Sequence, residues 1–142
     1  QKQLWNSNNN FLHLTAKDKK VIVVGGGDTG CDCIGTSLRQ GAKNIVSFEI
    51  LPRPGDTRGA DNPWPQWPRI YRKDYGHEEV ELKWGSDPRI FGINSKEFLD
   101  DGAGNVKGIR SVRVEWTQDN GRWIMKEVPN SEQIYEVCVG VV

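Results

Sequence analysis

Apolar residues first fall into a regular pattern at Val21. Val21-Ile22-Val23-Val24 is an unbroken β-branched run, the signature of a strand covered on both faces rather than one with a wet side. Gly25-Gly26-Gly27-Asp28-Thr29-Gly30 follows as a turn. Residues 31–40 then read as a helix, with Cys33, Ile34 and Leu38 at helical spacing and Gly41 placed to end it. Residues 44–51 read as a second strand. Strand, helix and strand within about 30 residues make a βαβ unit.

The pattern then breaks. Pro52, Pro54, Pro63, Pro65 and Pro68 crowd the next stretch, with Trp64 and Trp67 between them. Proline fixes φ and removes a donor, so residues 52–75 suit neither a helix nor a central strand. They read as a long ordered loop or an insertion, whose tryptophans more often pack structurally than contact a ligand. Residues 78–84 suggest a short helix and 90–98 a strand. Val112, Val114 and Trp116 alternate with Arg113, Glu115 and Thr117, which marks a half-buried strand. Asp119-Asn120-Gly121 is a hairpin turn, because Asn-Gly tolerates positive φ; the hairpin spans 106–128. Residues 134–142 begin a last apolar strand. The fold class expected is α/β: a Rossmann-like dinucleotide-binding domain with an antiparallel β-hairpin insertion, over residues 19–142. Residues 1–18 form a linker or entry segment.

Composition narrows the function. The 142 residues suit one domain. Nineteen basic residues balance nineteen acidic ones, so no charge excess draws a nucleic acid or an anionic membrane. No apolar run approaches the ~18 residues of a membrane span. The polar, Asn-rich start is unlike a signal peptide, and a chain that begins without Met fits a piece of a longer protein. Three cysteines argue against a disulfide scaffold and for a reducing, intracellular setting.

Gly25-x-Gly27-x-x-Gly30 carries the chemistry because of where it sits, after a strand and before a helix. Gly25 permits the tight turn, Gly27 lacks the Cβ that would hold a pyrophosphate away, and Gly30 lets the helix pack close. The helix N-terminus offers free N–H groups to phosphate, and the turn residues Gly26, Asp28 and Thr29 are expected to join the three glycines in holding the cofactor. Glu49 ends the second strand about 20 residues on, where a carboxylate accepts both hydroxyls of the adenosine ribose. Glu49 favours NADH; Arg53, four residues later, leaves NADPH open. The plain alternatives are a ligand-free glycine turn and a solvated strand end. Cys31 and Cys33 point about 200° apart on a helix and converge on no metal. His13 and His77 have no evident partners, and His77 reads as a surface or interface residue. No general acid, base or nucleophile stands out, and no metal site.

Beyond the glycine loop, Asp32-Cys33-Ile34-Gly35-Thr36-Ser37 and Phe48-Glu49-Ile50-Leu51-Pro52 resemble the pyridine-nucleotide domain of the glutamate synthases. Asn62-Pro63-Trp64-Pro65-Gln66-Trp67-Pro68-Arg69 and Asp74-Tyr75-Gly76-His77-Glu78 resemble its eukaryotic single-chain form, as do Ser111-Val112-Arg113-Val114-Glu115-Trp116 and Pro129-Asn130-Ser131-Glu132. The resemblance covers residues 17–136, and the Trp-Pro run is far more specific than the glycine loop. It implies an enzyme that makes glutamate from glutamine and 2-oxoglutarate. In it NADH or NADPH, bound here, reduces FAD, and electrons then pass through iron–sulfur clusters to FMN. The implied partners are the FAD-binding domain and the glutaminase/synthase portion of the same longer chain; an oligomer stays open. The implied place is intracellular, the cytoplasm foremost, with plastid and mitochondrion open. Cys31 departs from the Thr or Asn usual there, and residues 137–142 depart from the expected return into an FAD domain. Two rival readings are a non-catalytic NAD-sensing module and a thioredoxin-reductase-like flavoprotein. The Trp-Pro loop and the missing two-spaced dithiol count against the second.

Overall fold

A computed structural model of the chain describes residues 15–137. Among them the order is β1 (Lys20–Val24), α1 (Asp28–Arg39), β2 (Asn44–Glu49), α2 (Tyr75–Trp84), β3 (Arg89–Phe91), β4 (Ile93–Asp100), β5 (Val106–Asp119), β6 (Arg122–Glu127) and β7 (Gln133–Glu136). β1, β2 and β3 form a parallel sheet in that order. The other strands form an antiparallel sheet around β5. β4 lies along one edge of β5, while β7 and then β6 share the other.

The unbroken apolar run of β1 is explained by what lies on its two faces. Val21 and Val23 join Ile34 of α1, Ile45 and Val80 of α2 in one core. Ile22 points the other way, joining Phe48, Ile93, Ile109 and Val137 between the two sheets. The layers are therefore helices, parallel sheet and antiparallel sheet, and the mixed α/β class expected from the sequence holds. The hairpin holds as well: β5 and β6 meet at Asn120 and Gly121, with φ of 48° and 77°. Val112 and Val114 are buried as the alternation requires, and Trp116 Nε1 donates to the Ile50 carbonyl at 2.9 Å.

Several boundaries differ from the sequence reading. α1 begins at Asp28 rather than at residue 31, because Gly27 is already its N-cap. α2 begins at Tyr75 rather than at residue 78, because Asp74 caps it: Tyr75 N–H donates to Asp74 Oδ1 at 2.8 Å, and Asp74 N–H to His77 Nδ1 at 3.1 Å. The single strand expected over 90–98 is two strands broken at Gly92, whose φ of +66° turns the chain from one sheet to the other. Of the last apolar strand, β7 is seen; residues 138–142 and His13 lie outside the described residues, as does most of the 1–18 entry segment. Its end is tied down, since Asp18 N–H donates to Gly41 O at 2.9 Å.

The loop of residues 52–75 is ordered, but not by packing its indoles. Trp64 and Trp67 are 81% and 77% exposed. A buried amide holds the loop instead. Asn62 Nδ2 donates to the Trp67 carbonyl at 3.0 Å, and its Oδ1 accepts from Arg69 N–H at 2.7 Å. Arg58 adds a bond to Gln66 O at 2.7 Å.

α1 and α2 pack closely where Gly76 faces Cys31. This makes Cys31 the more buried of the two helix cysteines, with Cys33 packed only in part against the core. A Cβ at Gly76 would stand 2.5 Å from Cys31 O and 3.0 Å from Cys31 Sγ. Backbone cannot yield as a side chain can, so Gly76→Ala is expected to cost about 1–3 kcal/mol of stability. Urea unfolding of the two forms checks this, and equal midpoints would refute it.

Candidate functional site

The glycine loop leaves β1 at the end of the parallel strands where ligands of α/β sheets gather. Gly25 turns it with φ of +107°, its N–H donating to Phe48 O at 2.9 Å. At Gly27 an added Cβ would meet no atom within 4 Å, so the backbone is open to whatever approaches. At Gly30 it would stand 2.5 Å from Gly25 O, so helix and loop touch there. The first intrahelical bond runs from Cys31 N–H to Gly27 O, and no side chain caps the helix start. The N–H groups of Asp28, Thr29 and Gly30 therefore point outward without intrahelical partners, at the positive end of the helix.

Glu49 is the last residue of β2, and the neighbouring loop makes room for it. A Cβ at Gly26 would lie 1.3 Å from Glu49 Oε1, so the carboxylate occupies the space that any other residue at 26 would fill. Oε1 is buried and has no hydrogen-bond partner. Burial raises the pKa of Glu49 above its ordinary value, and the Arg89 guanidinium opposes the rise.

These groups share one cleft of about 570 Å³, whose floor is Gly26, Gly27, Asp28 and Glu49. Its opposite wall includes Trp67, Tyr71, Arg72, His77 and Arg89, which the sequence reading did not assign to the site. His77 is 4% exposed, not a surface residue as expected. Its Nδ1 accepts the Asp74 N–H, and burial, then Arg89, lowers its pKa. The neutral ring therefore carries its proton on Nε2, which is buried and unpaired. Arg89 is held by Asp87 at 2.7 Å and its Nη1 donates to Arg72 O at 2.8 Å. Arg89, with a Tyr71 hydrogen bond, keeps Asp87 down at about 2 against the effect of burial. Only the start of α2 hinted at any of this, since Asp74-x-x-His77 has the spacing of a capping pair.

Arg53 lies elsewhere. Its guanidinium pairs with Asp56 at 2.9 Å and lies 3.8 Å from the Tyr71 ring centre, and Arg53 is not among the cleft-lining residues. Thr29 is exposed at the helix start. Cys31 lines the cleft, and Cys33 does not. Among the described residues no group of three or more His, Cys, Asp or Glu is placed to hold a metal, and no helix is long and apolar enough to cross a membrane.

No protein-family model matches the chain. Curated relatives do. Glutamate synthase (NADH) of Saccharomyces cerevisiae is 54% identical over 139 residues, 97% of this chain and 6% of its own length. The enzyme of the same name from Schizosaccharomyces pombe is 56% identical over 87% of this chain and 6% of its own length. The glutamate synthase (NADPH) small chain of Bacillus subtilis is more distant, at 37% over 86% of this chain and 25% of its own. Among solved structures, a bacillithiol disulfide reductase from Bacillus cereus aligns with a TM-score of 0.43 and 14% identity, over 83% of this chain and 34% of that one. At that distance the likeness carries no inference about function. The chain thus spans about 6% of the length of its yeast relatives, and within that span it is a homologue of the glutamate synthases.

Proposed function

We propose that this chain is the nicotinamide-dinucleotide-binding part of a glutamate synthase, and that it holds NADH in the cleft between the glycine loop and residues 67–77. The observation that carries this is one cleft lined by two residues that each keep a buried polar atom unpaired: Glu49, with the acceptor Oε1, and His77, with the donor Nε2–H. A buried polar atom without a partner costs about 1–3 kcal/mol, and a ligand rich in hydroxyl and phosphate groups supplies the missing bonds. In this reading the N–H groups at 28–30 hold the pyrophosphate, and Gly27 lets it approach. Glu49 accepts the adenosine ribose hydroxyls. Bound NADH supplies a hydride; the chain supplies position and electrostatics.

The hydride acceptor is FAD held outside this chain. The longer protein uses the electrons, through iron–sulfur clusters and FMN, to make L-glutamate from L-glutamine and 2-oxoglutarate. A second reading, NADPH, is favoured by Arg72, which lines the same cleft and has no carboxylate within ion-pair distance among the described residues. The purified chain is expected to bind NADH in a calorimetric titration yet oxidise none of it when glutamine and 2-oxoglutarate are added. Absence of binding would sink the proposal, and glutamate formation by this chain alone would contradict the division of labour.

A further inference from the structure

We infer that Trp67 is the adenine platform of this cleft, a deepening of the dinucleotide reading on which it rests. The loop that carries Trp67 fixes its backbone and leaves its ring bare. Asn62, 3% exposed, holds the Trp67 carbonyl at 3.0 Å and the Arg69 N–H at 2.7 Å. Yet the indole is 77% exposed. The mount fixes the place from which the indole projects, and the uncovered aromatic face is open to a stacking partner.

Position in the cleft gives the ligand its identity. If pyrophosphate lies at Gly27 and ribose at Glu49, the base attached to that ribose continues into the part of the cleft walled by Pro54, Trp67 and Ile70. The other aromatic faces there are already in use. Tyr71 has Arg53 at 3.8 Å and Arg89 at 4.8 Å from its ring centre, and Phe91 has both Arg89 at 5.3 Å and the Tyr71 ring edge-on at 6.2 Å. Trp67 has Arg72 alone, at 5.0 Å. The cation covers one face of the indole and leaves the other for a flat base, and the base joined to the ribose at Glu49 is the adenine. Trp64 provides the internal contrast. It is as exposed, at 81%, and belongs to the same loop, but it does not line the cleft.

The test uses the full-length protein and ADP-ribose, which carries adenosine and pyrophosphate but no nicotinamide, so binding is read without turnover. Base–aromatic stacking predicts that Trp67→Ala weakens ADP-ribose about tenfold. Trp67→Phe should restore most of that loss, and Trp64→Ala should leave the dissociation constant unchanged. Parent-like affinity in Trp67→Ala would overturn the inference while leaving the dinucleotide site standing. Equal weakening by Trp67→Ala and Trp64→Ala would also overturn it, because the effect would then belong to the loop. A parent protein that does not bind ADP-ribose would bring down the dinucleotide reading itself.

Discussion

Gly27→Val is expected to abolish dinucleotide binding while the chain stays folded. Both outcomes follow from the open space at residue 27, where a Cβ meets nothing within 4 Å. Its φ of −73° suits any L-residue, so the backbone is not strained by a side chain. The N-cap position prefers Gly to Val, which costs about 1 kcal/mol of stability at most. The valine methyls project into the open cleft, where they occupy the approach to the N–H groups at 28–30. Loss of two hydrogen bonds to phosphate, each about 1.5–3 kcal/mol for a charged partner, is a loss of about 100-fold or more in affinity. Gly30→Val makes the opposite case. Its Cβ would sit 2.5 Å from the Gly25 carbonyl, so the helix must move and stability falls before binding is considered. Calorimetric titration with NADH, beside thermal melts of both variants, separates the two. A folded Gly27→Val protein with parent affinity would mean that phosphate does not sit on this loop.

The glycine loop was legible because its context is local. Strand, turn and helix follow one another within a few residues, and hydrophobic period reports each of them. The start of α1 was not legible, because Asp28, Thr29 and Gly30 carry no apolar residue through which a helical period could show. The break at Gly92 was hidden for a related reason. Ile90, Phe91 and Ile93 continue one apolar pattern across the glycine, and only its positive φ divides two sheets. The far wall of the cleft was out of reach altogether. Trp67, Arg72 and His77 come to Glu49 through a loop whose shape is set by Asn62 and its hydrogen bonds, and such polar scaffolding has no period. The tryptophans misled in one respect. Large apolar residues in a proline-rich stretch suggest packing, whereas here a buried amide does the holding and the indoles are left outside. Arg53 is four residues from Glu49 along the chain, but it pairs with Asp56 and Tyr71 and does not line the cleft.

Glu49→Gln separates the two cofactors and, in the unliganded chain, raises stability. Glu49 Oε1 is buried without a partner, and burial raises the pKa above the ordinary 4.5 despite Arg89. A carboxyl whose folded pKa is raised holds its proton more tightly when folded. Its contribution therefore favours folding below pH 4.5 and is lost as pH rises through the raised pKa. At neutral pH the ionised group is a liability to the empty chain, and the neutral amide removes it. Binding has the reverse sign. Ribose hydroxyls donate to the carboxylate, so NADH affinity of the parent should increase with pH over that same window, and the increase should vanish in Glu49→Gln. At neutral pH the variant should lose about 10- to 100-fold in NADH affinity, from bonds of about 1.5–3 kcal/mol to a charged acceptor. NADPH should be unaffected or bind more tightly, because the like charge facing its 2′-phosphate is gone and Arg72 remains in the cleft. Dissociation constants for both cofactors, taken at two pH values and two salt concentrations so that screening is visible, give the comparison. Equal weakening of NADH and NADPH would show that Glu49 only shapes the loop through Gly26. A parent that prefers NADPH would reverse the cofactor assignment and make Arg72 the residue to replace next.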